Sequence, residues 1–252
     1  MKKLSLIFIL FLFSVPANAF YSIQTATTGV GNDSEIEPDC DSIGTAGFLL
    51  SFDNTLGTTY ACISGGTQNA SGGDSPTIDT GISEGSSTLH DGVYTLLLDA
   101  DGNHELEYTV TAQDIGDLTK GTVEIYFYPT QASLTGDSEV FSLYGDADDY
   151  ARLELKSTTK ARIYHSGSGT VHYVTTTGTF TLQQINVVKA SWDVASDSLK
   201  IKLNSDATDS EADDLGAIGT NATLLQVGQS IGVINDDYRI DDVRSWSGAD
   251  DL

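Results

Sequence analysis

Basic residues are scarce in this sequence: Lys and Arg number 12 against 36 Asp and Glu, a formal net charge of -24 over 252 residues. No basic stripe is present to displace counterions from phosphates, which excludes nucleic acid as a partner. The same charge disfavours docking on anionic lipid. One Met, few helix-forming charges and no sustained 3.6-residue apolar period argue against a helical bundle. Parallel βαβ units need crossover helices and fall with it. Cysteine is nearly absent, and Cys40 and Cys62 have neither a CxxC spacing nor nearby His, which argues against a redox or zinc site. The four His form no Ser/His/Asp set, and no Gly-x-Ser-x-Gly elbow occurs. Gly65-Gly66 and Gly72-Gly73 precede no helix, so they cradle no phosphate. A hydrophobic content of 39% nevertheless excludes outright disorder.

What is present begins with an address. Lys2 and Lys3 precede an apolar run from Leu4 to Phe13, and Ala17-Asn18-Ala19 supplies an A-x-A cleavage site. That order is a secretory signal peptide, 1-19, and the run is too short to span a bilayer, which takes about 20 residues. No membrane insertion is expected after cleavage. Localisation is expected to be secreted, periplasmic or cell-surface in a bacterium, with 10 basic against 36 acidic residues left on the mature chain. In an exported chain, the pair Cys40 and Cys62 suggests a disulfide.

Residues 20-45 are rich in Thr, Gly, Asp and Ser and read as a loosely ordered lead-in. Short strand signals then follow one another. Phe48 to Phe52 and Val93 to Leu98 are apolar runs, with 63-90 between them reading as a Gly/Ser/Thr loop region. Leu106, Tyr108 and Val110 alternate with Glu105, Glu107 and Thr109, and Val123, Ile125 and Phe127 alternate with Glu124, Tyr126 and Tyr128 up to Pro129. Val140 to Tyr144, Leu153 to Leu155, Ala161 to Tyr164, Val171 to Thr175, Ile185 to Trp192 and Leu199 to Leu203 continue the pattern. Leu224 to Val227, Ile231 to Val233 and Arg239 to Val243 complete it. Period-two alternation broken by turn residues every 8 to 12 positions or so predicts an all-β antiparallel β-sandwich or barrel.

Several segments resemble laminin G-like, concanavalin A-like lectin/glucanase domains. Leu49-Leu50-Ser51-Phe52-Asp53 resembles their opening strand, and Gly121 to Pro129 their alternating strand that ends in Pro. Val140 to Leu155 is similar to their hairpin with an acidic turn. Asn186 to Leu203 is similar to their Trp-bearing strand, with the Trp displaced to Trp192. Tyr238-Arg239-Ile240-Asp241-Asp242-Val243-Arg244 looks like the closing strand and is the most specific piece. The resemblance implies one jelly-roll domain over 46-252, two antiparallel sheets face to face, with first and last strands paired. It does not choose among lectins, glycosidases, lyases and structural modules.

Glucanases of this fold carry E-x-D-x-x-E on one strand. The matching strand here has Glu124 alone, with Tyr126 and Tyr128 where partner acids should stand, so no catalytic residue is expected. Lyases of the fold need an Arg/Gln/His/Tyr set, but His165 and Tyr164, like His172 and Tyr173, are adjacent and point to opposite faces. Tyrosines offer a sugar an apolar face with a polar edge. Tyr126, Tyr128 and Glu124 are therefore the expected ligand-binding residues, with Tyr144, Tyr150, Tyr164, Tyr173, Tyr238 and Trp246 as further candidates. By resemblance, Asp53 and Asp241 match the place where such modules hold a structural calcium; otherwise they are solvated strand-end acids. The expected function is a non-catalytic module binding a glycan or another extracellular ligand. The alternatives are a structural or adhesion module that binds protein, and, further off, a polysaccharide hydrolase or lyase.

Overall fold

The structure is a computed structural model. It describes residues 117–228, 236–248 and 252, with the side chain of residue 247 excepted, and the backbone pairing of seven earlier strands. All of them lie in the unit Glu35–Leu252. The earlier strands are β1 (Gly47–Leu50), β2 (Ala61–Ile63), β3 (Thr67–Gln68), β4 (Thr77–Ile78), β5 (Ile82–Gly85), β6 (Thr95–Leu98) and β7 (Glu105–Thr109). The first five of the later strands are β8 (Lys120–Pro129), β9 (Ser138–Tyr144), β10 (Tyr150–Leu155), β11 (Ala161–Gly167) and β12 (Thr170–Thr175). They are followed by β13 (Asn186–Asp193), β14 (Ser198–Leu203), β15 (Asp209–Glu211), β16 (Leu224–Gly228) and β17 (Tyr238–Ser247). One 3-10 turn, Val194–Ser196, joins β13 to β14. Among the described residues no helix is long and apolar enough to cross a membrane.

Two antiparallel sheets form a sandwich, as the alternation predicts. The ten-stranded sheet runs β15-β14-β13-β8-β17-β1-β2-β3, with β6 also on β17 and β5 on β6. The seven-stranded sheet runs β12-β11-β10-β9-β16-β7-β4. The expectation that first and last strands pair is met: Leu50 faces Val243 and Gly47 faces Trp246. The loop reading of 63-90 is corrected, because β3, β4 and β5 fall inside it. They are two to four residues long, too short to show an alternation. Ile231 to Val233 and the segments 1-19 and 20-45 lie outside the described residues.

Period two puts every second side chain on the inner face. On the ten-stranded sheet these are Val123, Ile125 and Phe127 of β8, Val188, Ala190 and Trp192 of β13, and Leu199, Ile201 and Leu203 of β14. Phe141 and Leu143, Leu153 and Leu155, Ile163, Leu225 and Val227 meet them from the other sheet. Phe127 adds an edge-on contact with Phe180, ring centroids 5.2 Å apart.

Trp192 is the largest of these fully buried side chains, and its indole N–H donates to the Asp117 carbonyl at 2.9 Å. Across the ladder from it stands Gly121. A Cβ there would lie 2.3 Å from Trp192 Cζ2, so the ring needs a glycine beside it. Overpacking of this kind costs about 1–3 kcal/mol. Gly121→Ala is therefore expected to lower the melting temperature by several degrees in a calorimetric scan; an unchanged transition would contradict this packing.

Candidate functional site

Both sheets turn a polar face outward, and the two differ in chemistry. On the ten-stranded sheet, β8 presents Glu124, Tyr126 and Tyr128, all half-buried, as the alternation predicts. Tyr126 faces Val187 on one side and Asp241 on the other; Glu124 stands between Lys189 and Arg244. The Lys189 ammonium lies 5.0 Å from the centre of the Trp246 ring. Glu124, Val187, Lys189, Lys202 and Asn204 line a shallow hollow of about 180 Å³. That is smaller than the few hundred Å³ typical of a small-molecule pocket.

The seven-stranded sheet carries a denser arrangement. Cross-strand register lines up Tyr173 of β12, Tyr164 of β11, Arg152 of β10, Ser142 of β9 and Gln226 of β16 in one row. The adjoining row holds Thr175, Arg162, Glu154 and Glu139. Cations and rings interleave: the Arg162 guanidinium is 4.6 Å from the Tyr173 ring centre, and the Arg152 guanidinium is 4.4 Å from that of Tyr164. Arg152 also lies 5.5 Å from the ring of Tyr150. The two tyrosine rings Tyr164 and Tyr173 are 5.7 Å apart and tilted. Arg162 Nε donates to Thr175 Oγ1 at 2.6 Å, and a terminal nitrogen donates to the Tyr164 hydroxyl at 3.0 Å. Each plane is thereby fixed by its neighbours, which lowers the entropy lost when a ligand settles on it.

Accessibility falls from the edge strand inward across the sheet. Tyr173 is 53% exposed and Val171 48% at the sheet edge. Further in, Glu139, Glu154 and Tyr150 are buried. Arg152 sits between the two carboxylates, 3.7 Å from Glu139 and 3.5 Å from Glu154. Lys156 bridges Glu154 to Asp137, so acids and bases alternate through five side chains. A buried carboxylate without a partner is costly, and this alternation offsets the desolvation of each member. Burial pushes the Tyr150 phenol above its ordinary value, so that ring stays neutral.

The other expected residues fall as follows. Asp241 is in β17 beside a bulge, only 1% exposed, with its Oδ1 accepting from the Asp242 N–H at 3.0 Å. Asp242, at φ 43°, is the extra residue of that bulge. It also marks the point where the outer neighbour of β17 changes from β6 to β1. Asp53 and Cys40 lie outside the described residues, as does the side chain of Cys62, whose backbone is in β2 opposite Leu49. Tyr144 lies half-buried opposite Tyr150, and Tyr238 is fully buried in the core rather than on a face.

His165 and Tyr164 do point to opposite faces, and His165 is fully buried. Its Nε2 lies 2.8 Å from the Leu118 carbonyl, which only accepts, so the neutral ring carries its proton there. Burial holds the imidazolium below its ordinary pKa. The unfolded chain therefore takes up a proton near pH 6.5 that the folded chain refuses. Stability from this group is complete above that pH and is lost as pH falls below it. Thermal melts from pH 7.5 to 5 are expected to show a steeper fall for the native chain than for His165→Gln; equal slopes would contradict it.

No family model and no curated protein match the chain. Solved structures do match it in fold. The binding domain of Paraclostridial Mosquitocidal Protein 1 superposes with a TM-score of 0.62 at 11% identity, over 81% of this chain and 49% of that one. The botulinum neurotoxin serotype D binding domain gives 0.57 at 8% identity, over 82% and 50%. Botulinum neurotoxin type C, whose access to cells depends on interaction with two ganglioside molecules, gives 0.58 at 9% identity, over 81% and 48%. The chain thus spans about half the length of these relatives in fold, and at such identities the likeness is one of architecture.

Proposed function

We propose that the chain is a non-catalytic carbohydrate-binding module of the extracellular space and that it takes glycan on the outward face of the seven-stranded sheet. The observation that carries this reading is the run Tyr173, Arg162, Tyr164 and Arg152. Flat apolar rings and planar guanidinium donors, locked in place beside acceptor carboxylates, suit a sugar, whose ring has apolar faces and a rim of hydroxyls. The matched toxin chains, of which this sandwich covers about half, include binding domains, and cell entry of one of those toxins depends on interaction with two ganglioside molecules. The acidic surface, the leader-like 1-19, a Cys40–Cys62 disulfide and a domain spanning 46-252 of the laminin G-like, concanavalin A-like kind belong to the same reading. The outward face of β8, with Tyr126, Tyr128 and Glu124, is the second candidate surface because two half-exposed rings stand one pleat apart.

Glycan-array binding followed by titration against the best ligand tests this. Tyr173→Ala and Arg162→Gln are each expected to weaken binding about tenfold, about 1.4 kcal/mol, without lowering stability, since Tyr173 is half-exposed on the edge strand and Arg162 stands beside it on the outward face. Tyr126→Ala and Tyr128→Ala report on the other face. Loss of binding in that pair alone would move the site to the ten-stranded sheet. Release of reducing ends would make the chain an enzyme. No retention of any glycan would favour a structural module that contacts protein.

A structural calcium at Asp53 and Asp241 is part of the proposal. Asp241 and Asp242 are neighbouring buried acids at the seam where first and last strands meet, and a hard cation with six to eight oxygen ligands would relieve their repulsion. Calcium returned to chelated protein is expected to raise the melting temperature, less so in Asp241→Asn. A melting curve indifferent to calcium would leave these acids held by protein contacts alone.

A further inference from the structure

The two sheets meet along the edge formed by β12 and β15, the terminal strands of the seven- and ten-stranded sheets. One clasp there is plain: Thr177, just past β12, donates its backbone N–H to Asp209 Oδ2 at 2.7 Å and its hydroxyl to Oδ1 at 2.5 Å. A second set of side chains converges beside it. His172 of β12 turns away from the outward face that Tyr173 occupies, and its Nδ1 lies 3.5 Å from Glu211 Oε1 of β15. One donor atom from each of His172, Glu211 and Asp213 lies within 4.8 Å of the other two. The pair His172–Glu211 does not satisfy itself. His172 Nε2 and Glu211 Oε2 are both buried with no hydrogen-bond partner.

We infer that His172, Glu211 and Asp213 form a binding site for a first-row divalent cation, best matched by zinc, that staples the two sheet edges together. Imidazole with two carboxylates is a borderline donor set of the kind zinc accepts, whereas calcium takes oxygen ligands alone. Donors around a tetrahedral zinc stand about 3.4 Å apart, given bonds near 2.1 Å, so a pair at the 4.8 Å limit needs to close by up to about 1.4 Å to reach it. Three protein ligands leave one coordination position for water, and Asp213 stands at the exposed end where water reaches. The net charge of -24 draws cations toward the whole surface, but only this trio among the described residues gathers imidazole and carboxylate donors at that spacing. Cysteine plays no part in it, which is why Cys spacing gave no zinc signal, and the ligands come from β12, from the end of β15 and from the bend just past it, far apart in sequence.

The full chain, stripped with chelator and titrated calorimetrically with zinc chloride, is expected to take up one zinc per chain at this site. Glu211→Gln and His172→Asn are each expected to cut the affinity at least tenfold, with far-ultraviolet dichroism unchanged. The response to calcium is expected to be the same in both variants as in the native chain. Saturable uptake that persists in the double variant would put the ion elsewhere and overturn the site, as would no uptake at all. A second reading needs no variant: carbethoxylation of His172, located by peptide mass spectrometry, is expected to slow at least fivefold in zinc. Equal modification with and without zinc would overturn the inference independently.

Discussion

The last strand holds the ten-stranded sheet together. β17 pairs with β8 along its whole length on one side, while on the other it is shared by β6 near its start and β1 near its end. Strands remote in sequence are thereby joined to one ladder, and β8 passes that ladder on to β13 and β14. A strand in this position must be apolar toward the core at Tyr238, Ile240 and Val243 and must absorb a change of neighbour midway. The bulge at Asp241–Asp242 does the second job. It inserts one residue, keeps Val243 opposite Ile125 on the inner face, and places two acids at the seam. Without it, the alternation would put Val243 on the outward face.

Once the core fixes the inner faces, mostly polar and aromatic side chains are left for the outer faces, with Val187 and Val171 among the exceptions. The consequences differ with strand composition. Around β8 the outward residues are mixed in charge and interleave Glu124 with Lys189 and Arg244, a surface largely neutralised by its own neighbours. Around β10 and β11 they are Arg and Tyr in alternate positions, with Glu139 and Glu154 as counter-charges. Guanidinium over a ring in a partly desolvated setting is worth more than the same contact in open water. This makes the open edge, Tyr173 with Arg162, a rigid surface built ahead of any ligand.

The architecture was largely legible because period two is a local property. Alternation at Val123 to Phe127, Leu153 to Leu155 and Leu199 to Leu203 names both strand and face without knowledge of neighbours. The strands β3, β4 and β5 were not legible because two to four residues carry no period. The site was half legible. That Tyr164 and Arg162 share a face, as do Arg152 and Glu154, follows from spacing. That Tyr173, Tyr164 and Arg152 form one row, or that Glu139 reaches Glu154 past a bulge between Leu153 and Glu154, depends on register, which no single strand encodes. The inward place of His165 was not legible for a related reason: its hydrogen-bond partner, the Leu118 carbonyl, is 47 residues away in sequence.

In the proposed reading, ligand binds on the outward face of the seven-stranded sheet, at its open edge. Hydrogen-exchange mass spectrometry of the full chain, with and without the glycan it retains most strongly on an array, tests that claim most directly. Slowed exchange is expected to be confined to peptides spanning β11 and β12, with β8 and β13 unchanged. Protection centred on β8, or none in any peptide at saturating ligand, would contradict it.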